Sequence, residues 1–151
     1  MKEIKVKEKV YLEDYDVYVN PYLTYGQIQQ IANAVVSLSE PDEEGKTHDS
    51  WAERQQCIDM LMLYHATDIG KEKLDELGHE ICLTSGLIDA VFLEVVNVCA
   101  IRKAIEYQES DKQTLKKIIN QLPEKLKPLE EVVKKYESKS SAKRERFNSN
   151  D

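Results

Sequence analysis

The sequence predicts a mainly helical α+β protein, with an N-terminal β-hairpin packed on a bundle of about five to six amphipathic helices. Three observations carry that reading. The chain has only 5 Gly and 4 Pro among 151 residues and 7% aromatics, too few turn and strand formers for a sandwich or barrel. Strand-like alternation is confined to the first 20 residues. Beyond it, apolar residues recur at helical spacing behind Ser and Thr caps. Strands therefore precede helices instead of alternating with them, which disfavours a doubly wound sheet.

The hairpin comes first. In "IKVKEKVYL", Ile4, Val6 and Val10 alternate with polar residues, and "YDVYVN" is rich in β-branched and aromatic residues. The carboxylates of "EDYD" occupy the turn, and Asn20-Pro21 ends the second strand because a residue before proline avoids helical dihedrals. A lone hairpin is marginal in water and must pack on something larger.

Helices follow. Thr24 and Gln27 form a capping box ahead of Ile28, Ile31, Ala32, Val35 and Leu38. "SEPDEEGKTHD" is an acidic, breaker-rich loop and the candidate mobile segment. Ser50 and Glu53 make a second box, before a helix with Trp51, Ile58, Leu61, Met62 and His65 along its apolar face. A short helix, "KEKLDELGHEICL", turns Leu74, Leu77 and Ile81 inward, with Asp68 as its cap. Ser85 caps "GLIDAVFLEVVNVCAIRKAIEY", whose apolar residues, Phe92 among them, nearly encircle it and mark the central helix. Ser110 and Gln113 form a third box before Leu115, Ile118, Ile119 and Leu122. Pro123 and Pro128 bound a break, and "LEEVVKKY" is the last amphipathic helix.

Length fits one domain with a real core, since a chain of this size buries about 70% of its unfolded surface. That domain is read over residues 1–137, with the hairpin in 1–20, and residues 138–151 are read as a disordered basic and polar tail.

Charge and cysteine content narrow the function. Residues 1–110 carry 10 Lys+Arg and 21 Asp+Glu, a net −11, while residues 111–151 carry 11 and 7, a net +4, giving −7 for the chain. An acidic body repels phosphates, so nucleic acid is a poor partner. The charged N-terminus lacks the apolar core of a signal peptide, and the longest apolar run is interrupted by Asp89, Glu94 and Asn97, so no membrane partner is expected. Cys57, Cys82 and Cys99 are odd in number and each sits in an apolar context, as buried free thiols of a reducing cytoplasm do.

Candidate chemistry centres on "HATDIGKEKLDELGHE", with two histidines among five carboxylates. At 100° per residue, Glu72, Glu76, His79 and Glu80 fall opposite Leu74, Leu77 and Ile81, facing water. Glu76-x-x-His79 has the spacing of a di-iron ligand pair, but that chemistry needs two such motifs and two further glutamates, and one copy is present. "GHEICL" is not H-E-x-x-H, which excludes the zinc-protease motif. Cys82 lies three residues after His79 but flanks the apolar face, a poor setting for a thiolate. There is no G-x-S-x-G elbow and no glycine-rich phosphate loop. The reading is therefore non-enzymatic, with no catalytic residue, metal or cofactor assigned. His65, Trp51 and Phe92 are read as structural, His65 with its cation favoured by the helix C-terminus. His79→Ala is expected to leave stability nearly unchanged, and His65→Ala to cost about 1–2 kcal/mol as a buried polar group.

What remains is surface. Tyr11, Tyr15, Tyr18, Tyr22 and Tyr25 cluster in the lead segment, either as the packing face of the hairpin or as a partner-binding patch. An exposed hairpin edge can also accept a partner strand.

The arrangement around "VYVNPYLTYGQIQQI" is an extended chain, a proline, a Leu-Thr helix cap, then an acidic loop and successive amphipathic helices. Over residues 1 to about 105 it resembles the tail assembly chaperones of tailed bacteriophages. The resemblance implies a chaperone without catalytic residues or cofactor, acting in the host cell cytoplasm on unassembled tail or tape-measure protein. Its partners would be other phage or host proteins, with a homo-oligomer possible. Two other readings stand beside it: an acidic inhibitor of host defence or nucleic-acid machinery, whose net −11 body imitates phosphate, and a minor virion or connector protein.

Overall fold

Residues 2–148 are described by a computed structural model, and side chains over residues 2–139. The protein is a mainly helical α+β chain, with an N-terminal two-stranded antiparallel hairpin and five α-helices among the described residues. It divides into two compact units, Met1–Glu109 and Ser110–Asp151. The division falls where the charge changes sign, so the first unit carries the net −11.

The hairpin pairs β1 (Val10–Leu12) with β2 (Val17–Val19) in the register Val10–Val19, Tyr11–Tyr18 and Leu12–Val17. Its connection is a 3-10 turn over Glu13–Tyr15, closed by Asp16 in the left-handed region (φ 52°), where the Asp16 amide donates to the Glu13 carbonyl. Asp accepts that conformation more readily than most residues. Val17 and Val19 point inward and Tyr18 outward, the alternation a half-buried strand requires. The strand expected over Ile4 and Val6 does not form. Both side chains are exposed, and the pairing with β2 covers only Val10–Leu12.

The outer edge of β2 is taken by the chain after the second helix. Val19 bridges to Thr67, the Asn20 amide donates to Ala66 O at 2.7 Å, and the Tyr18 amide donates to the Asp68 carboxylate at 2.9 Å. Asp68 thus anchors the hairpin and makes no cap: the following helix starts behind Gly70. That β2 edge is closed to a partner strand.

Helix α1 (Tyr25–Ser37) begins with the expected box, in which Thr24 and Gln27 each satisfy the other's backbone amide. Its buried residues Ile28, Ile31, Ala32 and Val35 follow the 3.6-residue period. Helix α2 (Trp51–Ala66) begins with the Ser50–Glu53 box, also as expected. Its buried face is Asp59, Met62, Leu63 and Ala66, one residue round from the stripe read off the sequence. Trp51 is 80% exposed and is no part of the core. The hydrophobic character of α2 is nearly uniform around its axis, so packing against its neighbouring helices selects the buried side.

Helix α3 (Lys71–Thr84) is interrupted at Gly78 (φ 72°, ψ 164°), a combination that glycine alone adopts easily. Helical phase is lost across that residue. Leu74 is buried before it and Cys82 after it, whereas Ile81, expected inward, is exposed. Helix α4 (Leu87–Glu94) follows Gly86, not a Ser85 cap, and buries Leu87, Ile88 and Val91.

The expected long central helix is two helices. Val95 is extended (φ −82°, ψ 113°), and α5 (Cys99–Asn148) starts anew. Asn97 explains the break: its side-chain oxygen accepts from the Leu23 amide at 3.0 Å while its amide nitrogen donates to Leu23 O at 2.8 Å. Beside it, the Val96 amide donates to Pro21 O at 2.9 Å. The segment between α4 and α5 gives up helical bonds to hold the chain that enters α1. Phe92 is half-buried against the core, and Ile101 and Ile105 of α5 complete it. A Gln108–Gln29 bond at 2.8 Å joins the first turns of α5 to α1.

The rest of α5 makes up the second unit. The expected box at Ser110 and Gln113 does not form, because the helix passes straight through and Ser110 O accepts from the Thr114 hydroxyl. Pro123 and Pro128, expected to bound a break, lie inside the helix. Each removes one amide donor, and strong helix formers (Leu, Lys, Glu) flank both. Helix also covers 138–148 of the segment read as a disordered tail, whose last three residues lie outside the described ones.

Candidate functional site

Two features of the first unit concentrate polar or exposed apolar chemistry. The first joins α2 to α3. Asp59 is 4% exposed and is the buried charged residue among those described. One carboxylate oxygen accepts from Gln55 Nε2 at 2.8 Å, and the other meets His79 Nε2 at 2.8 Å. His79 is therefore not the solvated side chain that helical phase implies; the break at Gly78 turns it inward, to 21% side-chain exposure. An Asp–His pair can orient a general base. Here no hydroxyl or thiol among the described residues bonds to the imidazole, so the pair has the geometry of a clamp between helices.

The second feature is an open groove of about 400 Å³ between α2, α4 and the start of α5. Ile58, Phe92, Val98, Ile101 and Ile105 supply apolar surface. Trp51 stands at its rim, and Arg54, ion-paired with Glu109, and Arg102, paired with Glu106 at 3.2 Å, flank it. An apolar channel with an exposed tryptophan and charges of both signs at its margin is the composition of a protein-binding surface.

The five lead tyrosines do not form one patch. Tyr11 and Tyr18 pair across the hairpin on its outer face with ring centroids 4.8 Å apart, and the Tyr11 hydroxyl donates to Asp16 at 2.6 Å. That bond to a carboxylate holds the Tyr11 phenol above its ordinary pKa. Tyr15 turns inward and donates to Ser85 O. The Tyr22 hydroxyl accepts from the Lys7 amide, and Lys7 Nζ meets Glu94 at 2.7 Å, which secures the lead segment. Tyr25, in the first turn of α1, is exposed and separate.

His65 is half-buried in the last turn of α2, its ring edge-on to Tyr64 at 4.9 Å. Burial lowers its pKa, opposite to the direction expected from the helix C-terminus. Burial likewise raises the thiols of Cys57 and Cys82, which disfavours thiolate chemistry. Cys99 is exposed, not buried as its apolar context suggests, because it opens α5 just after the break.

The loop between α1 and α2 is tied down. His48 bridges Asp42 (Nε2–Oδ2, 2.9 Å) and Glu53 (Nδ1–Oε1, 3.2 Å), and Asp42 also accepts the amides of Glu44 and Lys46. The bonds to Asp42 and then Glu53 raise the His48 pKa. His48 bonding lowers Asp42, while Ser50 and then His48 lower Glu53. The signal for this tether in the sequence is the five-residue interval from His48 to the boxed Glu53.

Among the described residues, no group of three or more His, Cys, Asp or Glu side chains is arranged to hold a metal ion, and no helix is long and apolar enough to cross a membrane. Comparison with protein-family models, with curated proteins and with solved structures finds no match for this chain.

Proposed function

We propose that the protein is a non-enzymatic protein-interaction factor of a tailed bacteriophage, a tail assembly chaperone that shields an apolar segment of unassembled tail or tape-measure protein. The observation that carries this reading is the groove rimmed by Trp51. A tryptophan 80% exposed beside Ile58, Phe92 and Ile105 is apolar area left for a client, since a buried aromatic anchor is where binding energy concentrates. The paired Arg54–Glu109 and Arg102–Glu106 leave a polar margin that keeps the free protein dispersed. The client would be an amphipathic helix presenting two or three apolar anchors at i, i+3, i+7 spacing, which is how helices enter such channels. The work would be done in the host cell cytoplasm and needs no cofactor.

The test is co-expression with the phage tail-tube and tape-measure proteins, followed by purification and mass spectrometry. The wild-type chain should retain one of them, and Trp51→Ala should lose it while its unfolding midpoint stays unchanged. Equal retention by both chains would remove the groove from the mechanism. A second reading draws on the net −11 of Met1–Glu109, an acidic inhibitor of host nucleic-acid machinery. Its signature in the same experiment is recovery of a host nuclease that dissociates at raised salt.

A further inference from the structure

The second unit presents an apolar stripe with a regular repeat. Every residue from Gln113 to Lys139 is exposed. Within that stretch, Leu115, Ile119, Leu122, Leu126, Leu129, Val133 and Tyr136 recur at alternating intervals of four and three. This is a heptad repeat with Ile119, Leu126 and Val133 at a and Leu115, Leu122, Leu129 and Tyr136 at d. Both prolines avoid the seam: Pro123 falls at e and Pro128 at c.

We infer that Leu115–Tyr136 of α5 pairs with the same segment of a second copy of this chain, as a parallel two-stranded coiled coil. Three observations select that occupant. β-branched residues at two of the three a positions, Ile119 and Val133, with leucine at three of the four d positions favour two parallel strands. In that orientation two of the four g-to-e positions bring opposite charges together, while Glu137 at e faces Val132 at g. Asp111 at g faces Lys116 at e of the second copy, and Lys125 at g faces Glu130, each pair occurring twice by symmetry. The g residue Ile118 meets Pro123, an apolar pair. Antiparallel pairing would instead set Lys125 near Val132 and Glu130 near Pro123 or, in the alternative register, Lys125 against Lys125 of the second copy. Finally, a helix carrying two prolines and no buried side chain over this stretch lacks an intrinsic source of order in water. A seam of seven apolar residues per chain supplies one.

The full-length protein tests this by sedimentation equilibrium across micromolar concentrations. A dimer is expected, and Leu122→Glu with Leu129→Glu together should give a monomer. Amide exchange in α1 reports that the first unit of that variant is still folded. Lys125→Glu should raise the dimer dissociation constant roughly fivefold, and adding Glu130→Lys should restore it. A wild-type monomer at every concentration overturns the inference, as does a trimer or higher assembly. A dimer indifferent to the Lys125 and Glu130 reversals overturns the parallel register.

Discussion

His79 Nε2 lies 2.8 Å from the carboxylate of Asp59, a residue 4% exposed, although the two are 20 positions apart and sit on different helices. The contact makes His79 a structural partner and reverses the expectation that its loss is harmless. His79→Ala leaves a buried carboxylate with Gln55 alone, which should cost about 1–3 kcal/mol in chemical denaturation. His79→Gln, able to donate at similar reach, should recover part of that. A loss below about 0.5 kcal/mol for the alanine variant, the range of an ordinary surface change, would return His79 to solvent.

Gly78 is what makes the clamp possible. At φ 72° and ψ 164°, an alanine there is strained by about 1–3 kcal/mol, and the cost is purely backbone because nothing lies within 4 Å of the added Cβ. Gly78→Ala should therefore lower the unfolding midpoint and, where α3 straightens to relieve strain, expose Cys82 to thiol reagents. Unchanged stability together with unchanged Cys82 protection would show the kink to be dispensable.

Asn97 joins the break between α4 and α5 to the segment entering α1. Asn97→Ala removes both bonds to Leu23 and should destabilise the first unit by about 2 kcal/mol, roughly 1 for each bond. Hydrogen exchange gives the sharper reading. The Leu23 amide should lose protection well before those of central α1, and uniform loss across the helix would mean that Asn97 acts globally.

The loop tether at His48 carries a pH signature with two limbs. The His48 pKa is raised from 6.5, so its contribution is fully present below 6.5 and fades as pH rises through the folded value. Asp42 and Glu53 are lowered from 3.8 and 4.5, so theirs is present above those values and fades as pH falls through the folded ones. Protection factors of the Glu44 and Lys46 amides should peak between these limits and decline toward pH 8. His48→Gln should abolish the alkaline limb. His65 runs the other way: its lowered pKa favours the neutral ring, so its contribution falls on acidification. A flat profile for the two loop amides from pH 5 to 8 would sink the tether.

Local chemistry was legible in the sequence wherever a few neighbouring residues decide the outcome. The Thr24–Gln27 and Ser50–Glu53 boxes and the buried stripe of α1 are local in this sense, because capping bonds and a 3.6-residue period involve only residues three or four apart. The hairpin turn at Glu13–Asp16 is equally local. Tertiary structure alone decided which side of α2 faces inward, since its apolar residues surround the axis and Trp51 is as hydrophobic as any. It decided that Asn97 ends a helix, because the reason is Leu23, 74 positions away. It also decided that His79 is a clamp and not a solvated base. A glycine outside helical space cancels the phase from which a residue's face is computed, and only the packed chain shows the new one.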